Sequence, residues 1–387
     1  MNSLKDFHHK VPFNYFERFI AFRYLVPLRK GGLLSVISWL SFIGICIGVA
    51  TLIIVMSVMN GFHIELKERI IGFNGHIFIQ KSDKYFEYQE ELSNVPSVKF
   101  IDPNIKNKSV TVENRIQLIN FYDKKLPLPT EIEISESGTC NRKCSFCPRS
   151  DPEFIHKKEF ISDKLHLKLC NELKELDYQG TIRYSGFVEP LLDKNIFNLI
   201  KIAKTKLPGS NIELVTNGDV LNLLRLKKLF TSGLNKILIS AYDGKKEADK
   251  LEELCIKAKL TSEQFIVRHR YLNESQDFGI TLSNRSGSMK NAEFKIASLK
   301  EPLKKPCFIP TYTFFLDYQG DVLICPHDWG KKIILGDLNN QSFSEIWFSK
   351  KAMKIRGLLN NSNRNFSPCN VCDVDGTLMG KKNSTYF

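Results

Sequence analysis

Residues 138–148 read Gly-Thr-Cys-Asn-Arg-Lys-Cys-Ser-Phe-Cys-Pro, which places Cys140, Cys144 and Cys147 in a C-x3-C-x2-C motif. Three thiolates can hold a four-iron cluster, and they leave one of its irons without a protein ligand. A substrate or cofactor can occupy that open position. A three-cysteine zinc site is the alternative, but such sites usually recruit a fourth ligand nearby, often a histidine. The next histidine is His156, nine residues on, so the motif favours an iron–sulfur cluster.

The same motif resembles the signature of the radical S-adenosylmethionine (radical SAM) enzymes, including the aromatic residue before the last cysteine, here Phe146. In that family the free iron binds the amino and carboxylate groups of S-adenosylmethionine. An electron from the reduced cluster then releases a 5′-deoxyadenosyl radical, which takes a hydrogen atom from the substrate. The resemblance implies that the three cysteines hold a [4Fe-4S] cluster and that Phe146 packs beside the adenine. It also implies a low-potential electron donor such as flavodoxin or ferredoxin.

A second set of cysteines lies near the C-terminus: Cys307, Cys325, Cys369 and Cys372, with Gly320 between the first two. The order C-x12-G-x4-C followed by C-x2-C resembles the Twitch form of the SPASM-type auxiliary domain. Full SPASM domains carry seven cysteines and two clusters, so four cysteines imply one auxiliary [4Fe-4S] cluster whose irons all have protein ligands. Four cysteines ending in C-x2-C also suit a structural zinc site.

From Pro129 onward, short β-rich runs alternate with amphipathic ones, as in a parallel α/β sheet. The predicted strands are Glu131–Ser135, Thr181–Ser185, Asn211–Thr216, Lys236–Ala241, Phe265–Tyr271 and Phe278–Leu282. Apolar residues at three- and four-residue spacing predict helices at Asp163–Leu176 and Lys194–Lys206. Six strands suit the partial (β/α)6 barrel of the radical SAM family. The predicted fold class is therefore α/β, a partial barrel followed by a small iron–sulfur domain.

Ligands of parallel sheets bind at the carboxyl ends of the strands. The resemblance implies cofactor contacts for residues at these ends, namely Gly186, Glu189, Thr216, Asn217, Ser240, Arg268 and Asn284. Gly186 and Glu189 correspond to the family's Gly-Gly-Glu-Pro segment, which binds the methionine amino group, although Val188 departs from it. Read without the resemblance, Glu189 is a solvated charge and the Asn-Gly pair at 217–218 is an ordinary turn.

In the C-terminal domain, Asp317–Cys325 is predicted to form a hairpin with Gln319-Gly320 at its turn. A strand-like run, Ile333–Leu338, leads into a predicted helix at Ser344–Arg356. His327 and Asp328 follow Cys325 closely. Beside an auxiliary cluster, either residue is a candidate for accepting a proton from the substrate.

The N-terminal part of the chain has a different character. Residues 33–59 contain no charged side chain, and as a helix of about 1.5 Å per residue they exceed the roughly 30 Å hydrocarbon core of a bilayer. We therefore predict one transmembrane helix here, too long and too far from the start to be a signal peptide. Basic residues before the span predict a cytoplasmic N-terminus, which sends the following chain to the far side.

The stretch from Phe19 to about Ile79, which includes Arg23-Tyr-Leu25, Val55-Met-Ser-Val-Met-Asn-Gly-Phe62 and Gly72-Phe-Asn-Gly-His-Ile77, resembles the first membrane segment of the lipoprotein-releasing ABC transporter permeases. Those permeases have four membrane helices, whereas a second long apolar run is absent from this sequence. The predicted topology therefore conflicts with a radical SAM domain, because the domain would lie outside the cytoplasm that supplies its cofactor and its electrons. An inverted or uninserted helix, a genuine fusion, and a recombined or misassembled reading frame all explain the conflict, and the third is favoured.

The polar stretch Asp102–Lys108 is predicted to be a linker. The predicted domains are a permease-like segment at 1–105, a radical SAM core at 106–300 and an auxiliary cluster domain at 301–387. The catalytic half is expected to require the cytoplasm even if the chain is membrane-associated. The net charge of +13 comes from lysines scattered along the chain, so no nucleic-acid partner is expected.

The favoured function is a radical SAM oxidoreductase that takes hydrogen from a small alcohol or carbohydrate-like substrate, with the auxiliary cluster accepting the second electron. A peptide-modifying SPASM-type enzyme is the alternative within the same family. Two alternatives from other classes are a membrane component of a lipoprotein-releasing transporter and a zinc-binding module. Iron content separates the enzyme from both.

Overall fold

The computed structural model describes residues 18–20, 40–41, 43–52, 55–56, 103–121, 124–271, 283–289 and 297–387. The chain divides into two compact units, Met1–Glu87 and Tyr88–Phe387. Nearly all of the described residues belong to the second unit.

Part of the predicted transmembrane helix is described. Residues 40–41, 43–52 and 55–56 are helical and exposed, and their apolar side chains include Ile45, Ile47 and Leu52. Within the described ranges, no helix is both long and apolar enough to cross a membrane. The other residues of the predicted span, and most of the permease-like stretch, lie outside the described residues.

An eight-stranded sheet organises the second unit. Its strands in chain order are β3 (Glu131–Ser135), β4 (Thr181–Tyr184), β5 (Asn211–Thr216), β6 (Lys236–Ala241), β7 (Phe265–His269), β8 (Thr313–Asp317), β9 (Asp321–Leu323) and β10 (Ile334–Asp337). Strands β3 to β7 are parallel and lie in sequence order. Strand β8 adds to the other side of β3, also parallel, and β9 and β10 continue the sheet antiparallel. A separate hairpin pairs β1 (Leu118–Phe121) with β2 (Lys124–Pro127).

The helices cover this sheet. They are α1 (Pro103–Asn114), α2 (Asp163–Glu175), α3 (Ile196–Lys206), α4 (Leu223–Thr231), α5 (Lys245–Lys257), α6 (Ile309–Tyr312), α7 (Phe343–Trp347), α8 (Lys350–Asn360) and α9 (Lys381–Ser384). Helix α2 starts where the Ser162 side chain accepts from the Leu165 N–H, and it buries Leu165, Leu169 and Leu173. Capping and a single apolar face therefore suffice to define it.

The strand predictions hold for β3 to β7 within two residues, whereas Phe278–Leu282 lies outside the described residues. The hairpin with Gly320 at its turn is confirmed as β8 and β9. The predicted helix at Ser344–Arg356 is wrong in one respect, because Ser349 caps a new helix and divides the segment into α7 and α8.

The linker predicted at Asp102–Lys108 is also wrong, because α1 begins at Pro103. The linker was predicted because the stretch is polar, but its polar side chains contact charged groups of the sheet. Lys108 Nζ lies 2.8 Å from Glu131 and 3.4 Å from Glu133, and Asn107 donates to Glu213. Polar residues on a helix thus face a polar interior here, so the usual apolar periodicity is absent.

Those carboxylates belong to a buried ionic network on one face of the sheet. Glu131 and Glu133 share one face of β3 because side chains alternate along a strand. The fully buried Arg183 on β4 pairs with Glu131 at 2.5 Å and with Glu213 on β5 at 2.6 Å. Although burial disfavours its charge, these carboxylates raise the pKa of Arg183. Paired in this way, the charges can remain buried.

Candidate active site

The loop after β3 carries the C-x3-C-x2-C motif. Its last turn is closed by the Cys147 N–H, which donates to the Cys144 carbonyl, and by the Ser150 hydroxyl, which donates to the Cys147 carbonyl. All three thiols are partly buried. Burial raises the pKa of Cys144 to about 11, and it also raises the pKa of Cys140 and of Cys147. Such thiols become thiolates when a metal replaces their protons. Three soft donors on one loop fit an iron–sulfur cluster.

Between the first two cysteines, Arg142 contacts three carboxylates. Its guanidinium forms paired hydrogen bonds to Asp219 and to Asp243 and a further bond to Glu247. These acids follow β5, follow β6 and begin α5. The cluster loop is thereby attached to the carboxyl ends of two neighbouring strands.

Glu189 lies at the centre of a second polar group. Its carboxylate accepts from the Thr216 hydroxyl at 2.6 Å, the Asn217 N–H at 2.7 Å and the Leu191 N–H at 3.1 Å. Only 2% of Glu189 is exposed. Burial raises its pKa to about 7, although these donors act in the opposite direction. Glu189, Thr216 and Asn217, which the sequence singled out, therefore come together.

Gly186 turns the chain from β4 toward Glu189. Its φ of +100° is one that side chains rarely adopt, and a Cβ there would lie 2.9 Å from the Phe315 ring. Because Phe315 is fully buried and packs on Phe187 with ring centroids 4.8 Å apart, the ring has little room to move. Glycine is thus required both by backbone conformation and by space.

At the next strand end, Ser240 accepts from Arg268 at 2.6 Å, and both residues are buried. Phe146 of the cluster loop packs against Tyr242, with ring centroids 5.4 Å apart. Arg142 lies 5.3 Å from the centroid of the same Tyr242 ring. The sequence-predicted Phe146, Ser240 and Arg268 accordingly lie around the β6 end.

Asn284 lies elsewhere, at the contact with the cysteine-rich C-terminal loop. Its side-chain amide donates to the carbonyls of Ala297 and Val371, and its backbone N–H donates to Asp373. The polar atoms of Asn284 are therefore engaged within the protein. This residue ties the segment at 283–289 to the loop that carries Cys369 and Cys372.

The two candidate proton acceptors differ in their surroundings. Asp328 accepts from the backbone N–H groups of Lys332 and Ile333 and is 1% exposed, so its carboxylate closes its own loop. His327 instead lies 3.5 Å from Arg285 through Nδ1. Burial lowers the pKa of His327 to about 3, which keeps the imidazole neutral.

The four C-terminal cysteines line one cavity. Burial raises the pKa of Cys307 to about 11 and that of Cys325 and Cys369 further. A cavity lined by four thiols fits a cluster with four cysteine ligands. Over the described ranges, no three cysteine, histidine or acidic side chains converge closely enough to hold a single metal ion.

Sequence reasoning missed the contacts of Arg142, Asp219, Asp243 and Glu247, and it gave Arg285 no separate role. Two of the acids could have been noticed, because Asp219 follows the Asn-Gly pair after β5 and Asp243 follows β6. Arg142 carried no sign beyond its place between two cysteines.

Comparison with protein families gives two matches. The radical SAM superfamily matches residues 134–281, and SPASM, an iron–sulfur cluster-binding domain, matches residues 307–373. Each match contains one of the two cysteine sets. They confirm both resemblances inferred from the enzymatic half of the sequence.

Among known proteins, the chain is 28% identical over 243 residues to the S-adenosyl-L-methionine-dependent 2-deoxy-scyllo-inosamine dehydrogenase of Niallia circulans, covering 62% of this chain and 92% of that protein. It is similar to the crystal structure of BtrN in complex with AdoMet and 2-DOIA, with a TM-score of 0.55 and 27% identity, over 65% of this chain and 97% of that one. It is also 32% identical over 128 residues to the lipoprotein-releasing transmembrane protein LolE of Haemophilus influenzae, of which it spans 30%.

Proposed function

Because this chain contains a radical SAM domain at residues 134–281 joined to a SPASM iron–sulfur domain at residues 307–373, we propose that it oxidises a small carbohydrate-like alcohol by radical chemistry. The observation that carries the proposal is the arrangement at the strand ends. A three-cysteine loop lies there beside a buried Glu189–Thr216–Asn217 group, and four further cysteines surround a separate cavity.

In this proposal Cys140, Cys144 and Cys147 hold the open cluster and Cys307, Cys325, Cys369 and Cys372 hold the auxiliary one. Glu189 binds the methionine ammonium of S-adenosylmethionine. Its carboxylate has room for about four donors and uses three within the protein, so one acceptor site remains. An ammonium there would offset the burial that raises the pKa of Glu189.

The remaining cofactor contacts follow from the same strand ends. Gly186, Thr216, Asn217 and Ser240 surround the methionine and ribose, with Phe146 beside the adenine. Arg268 supports Ser240 through its hydrogen bond. Asn284 acts indirectly, by holding the C-terminal loop.

S-adenosylmethionine bound at the open iron supplies, after one-electron reduction, the radical that removes a hydrogen atom from the substrate carbon. To finish as a ketone, the substrate radical must lose one proton and one electron. We assign the electron to the auxiliary cluster and the proton to His327, whose neutral imidazole can accept it. Because burial also makes that imidazole a weak base, the proton should leave the substrate only once the electron has been lost. Asp328 is the weaker candidate because its oxygens already accept from loop N–H groups.

The substrate class rests on similarity. The relative from Niallia circulans dehydrogenates 2-deoxy-scyllo-inosamine, by its name, and shares 28% identity over 92% of its length. We therefore propose a cyclic polyol or amino-polyol as substrate here. A peptide substrate is the second candidate, supported by the SPASM match alone.

The test is iron and acid-labile sulfide per chain after purification without oxygen, beside a variant with Cys140, Cys144 and Cys147 all changed to Ala. About eight irons falling to about four are expected for one open and one closed four-iron cluster. Reduced protein should also form 5′-deoxyadenosine, and a deuterated cyclitol substrate should transfer its label to that product. Zinc in place of iron would contradict the proposal.

We further propose domains at 1–105, 106–300 and 301–387, with the catalytic part in the cytoplasm. The helix at 33–59 can then hold the chain at a membrane only if it is inverted or uninserted relative to the topology that the flanking charges predict. The exposed Ile45, Ile47 and Leu52 support a lipid-facing helix, and the LolE similarity supports a permease origin. Carbonate-washed membranes test the anchor, because an anchored chain remains in the pellet. Sequencing the messenger RNA across residues 80–110 separates a genuine fusion from a misassembled frame.

A further inference from the structure

We infer that Arg142 is a positioning residue that holds the open-cluster loop against the strand ends where S-adenosylmethionine binds. This inference rests on the proposed function, which assigns the open cluster and S-adenosylmethionine to these strand ends. The hold of Arg142 on the loop can nevertheless be tested without either group. We assign Arg142 no direct contact with the iron or with S-adenosylmethionine. It acts through the loop that carries Cys140 and Cys144.

The first step is the geometry of the guanidinium. Nε lies 2.7 Å from Asp219, Nη1 and Nη2 each lie 2.9 Å from Asp243, and Nη2 lies 3.1 Å from Glu247. The bonds to Asp219 and to Asp243 are bidentate, the geometry in which arginine holds a carboxylate most firmly. The pKa of Arg142 is raised, first by its hydrogen bond to Asp219.

The second step is that one of the three acids, Glu247, is itself held by groups outside the cluster loop. Glu247 accepts from the N–H groups of Tyr242 and Asp243, so it is held at the start of α5. The side chains of Asp219 and Glu247 are 25% and 19% exposed, and that of Arg142 is 17% exposed. The side chain of Asp243 is 67% exposed. An isolated surface ion pair contributes little, whereas one guanidinium shared by two partly buried carboxylates and this exposed one forms a network.

The third step connects this network to the proposed cofactor site. Asn141, next to Arg142, donates to Asp219 and accepts from the side chain of Asn217 at 2.8 Å. The backbone N–H of Asn217 donates to Glu189. A continuous hydrogen-bond chain therefore runs from the cluster loop to the carboxylate assigned to the methionine ammonium.

The fourth step is the aromatic contact. Arg142 lies over Tyr242, which packs against Phe146 of the same loop. Removing the guanidinium would free three carboxylates that repel one another and would uncover one face of the ring pair. The loop could then shift relative to β5 and β6 while its three thiols remain able to bind iron.

The experiment compares Arg142→Gln with Lys143→Gln, the exposed neighbour between the same two cysteines. With the cluster loaded, Arg142→Gln should keep its iron but bind S-adenosylmethionine about tenfold more weakly, the size expected from losing roughly one hydrogen bond to a charged group. Equilibrium dialysis measures the binding, and kinetics should show a raised KM for S-adenosylmethionine with kcat changed less. Arg142→Lys should recover part of the affinity, and Lys143→Gln should equal the wild type.

A cofactor-independent readout uses cluster-free protein and a lysine-specific protease. Cleavage after Lys143 should be several-fold faster in Arg142→Gln than in the wild type, while cleavage after the exposed Lys245 stays the same. If Arg142→Gln proves insoluble, Asp243→Asn replaces it. This variant should also bind S-adenosylmethionine more weakly and be cleaved faster after Lys143, but by smaller factors, because Asp219 and Glu247 still hold Arg142.

The outcomes separate the two claims. Wild-type protein without iron or 5′-deoxyadenosine formation would defeat the proposed function, yet the protease result would still report on the loop. Unchanged affinity and unchanged cleavage in Arg142→Gln would overturn the positioning role. Loss of iron with normal affinity per remaining cluster would also overturn it, since Arg142 would then serve only the cluster itself.

Discussion

Among single residues, Glu189 has an unusual electrostatic position. It is a carboxyl buried beside a site proposed for a cation, and its pKa is raised to about 7 by burial. Between its ordinary value of 4.5 and 7, the folded protein holds a proton that the unfolded chain has lost. The stabilisation from that proton is complete below the ordinary value and is lost as pH rises through 7.

We predict that Glu189→Gln flattens the pH dependence of stability in cluster-free protein. In the wild type, this group should reduce the free energy of unfolding by about 3 kcal/mol between pH 4.5 and pH 8, and the variant should lack that slope. Urea unfolding at pH 5, 6, 7 and 8 measures it, with Glu253→Gln, an exposed carboxyl, as the control. Parallel curves for wild type and Glu189→Gln would contradict the assignment.

The raised pKa of Glu189 also predicts how the binding of S-adenosylmethionine depends on pH. An ammonium pairs with the ionised form, so S-adenosylmethionine should bind the cluster-loaded wild type more weakly at pH 6 than at pH 8. Glu189→Gln should bind weakly at both values. Equilibrium dialysis decides the matter, and equal affinity of the wild type at both pH values would argue that another residue holds the ammonium.

Gly186 offers a test of space as distinct from backbone strain. The backbone φ is +100° at Gly186 and +110° at Gly244. A Cβ added at 186 would meet the Phe315 ring, whereas a Cβ added at 244 would meet nothing within 4 Å. Gly244→Ala should therefore cost only the strain, about 1–2 kcal/mol. Gly186→Ala should cost about 2 kcal/mol more because it also overpacks the site. Urea unfolding gives both numbers, and equal losses would show that Phe315 can move aside.

At the scale of elements, the strands β3 to β7 were predictable because each is a short β-rich run bounded by turn residues. Glu189, Thr216 and Asn217 were predictable because they end neighbouring parallel strands, which brings them to one edge. The contacts of Arg142 were not, since they join acids about 80 to 100 residues away in sequence and no local pattern encodes such a distance. Helix α1 was missed because its inward side chains are polar.

The buried ions between β3, β4 and β5 give an element-scale prediction. Arg183→Met leaves Glu131 and Glu213 without their shared partner and should destabilise the protein by about 3–5 kcal/mol. The loss should grow as pH rises, because protonation relieves the unpaired carboxylates at low pH. Lys245→Met, which breaks an exposed pair with Asp249, should leave stability essentially unchanged because solvent screens an exposed ion pair. Urea unfolding at pH 5 and pH 8 checks both; a loss that does not depend on pH would mean that packing, not charge, is responsible.

For the whole molecule, the sheet joins the two family matches into one body. Strand β8 of the C-terminal part pairs with β3 of the core over five residues, and Asn284 fastens the loop of Cys369 and Cys372. Two cysteine sets that are far apart in sequence therefore rest on one sheet. Electron transfer between two clusters benefits from such a fixed arrangement.

Helix α1 precedes both family matches, yet it belongs to this body. Lys108 pairs with Glu131 and Glu133, and the fully buried Val112 packs with Ile309, Tyr312 and Met379. The helix thus contacts both the core and the C-terminal part. Helix α1 therefore belongs to this body, so we propose that the catalytic unit begins no later than Pro103 rather than at residue 106 and that any junction with the permease-like segment lies upstream of α1.

A pair of shortened chains tests this boundary. We predict that residues 101–387 fold, bind iron and cleave S-adenosylmethionine like the full chain, whereas residues 116–387 lose about 3–5 kcal/mol of stability because three buried carboxylates lose partners. Lys108→Met in the longer chain should reproduce part of that loss, which separates the ion pairs from the packing of Val112. Urea unfolding and iron content measure the differences. If residues 116–387 were as stable and as iron-loaded as residues 101–387, α1 would be dispensable, and the boundary of the enzyme would have to be drawn after it.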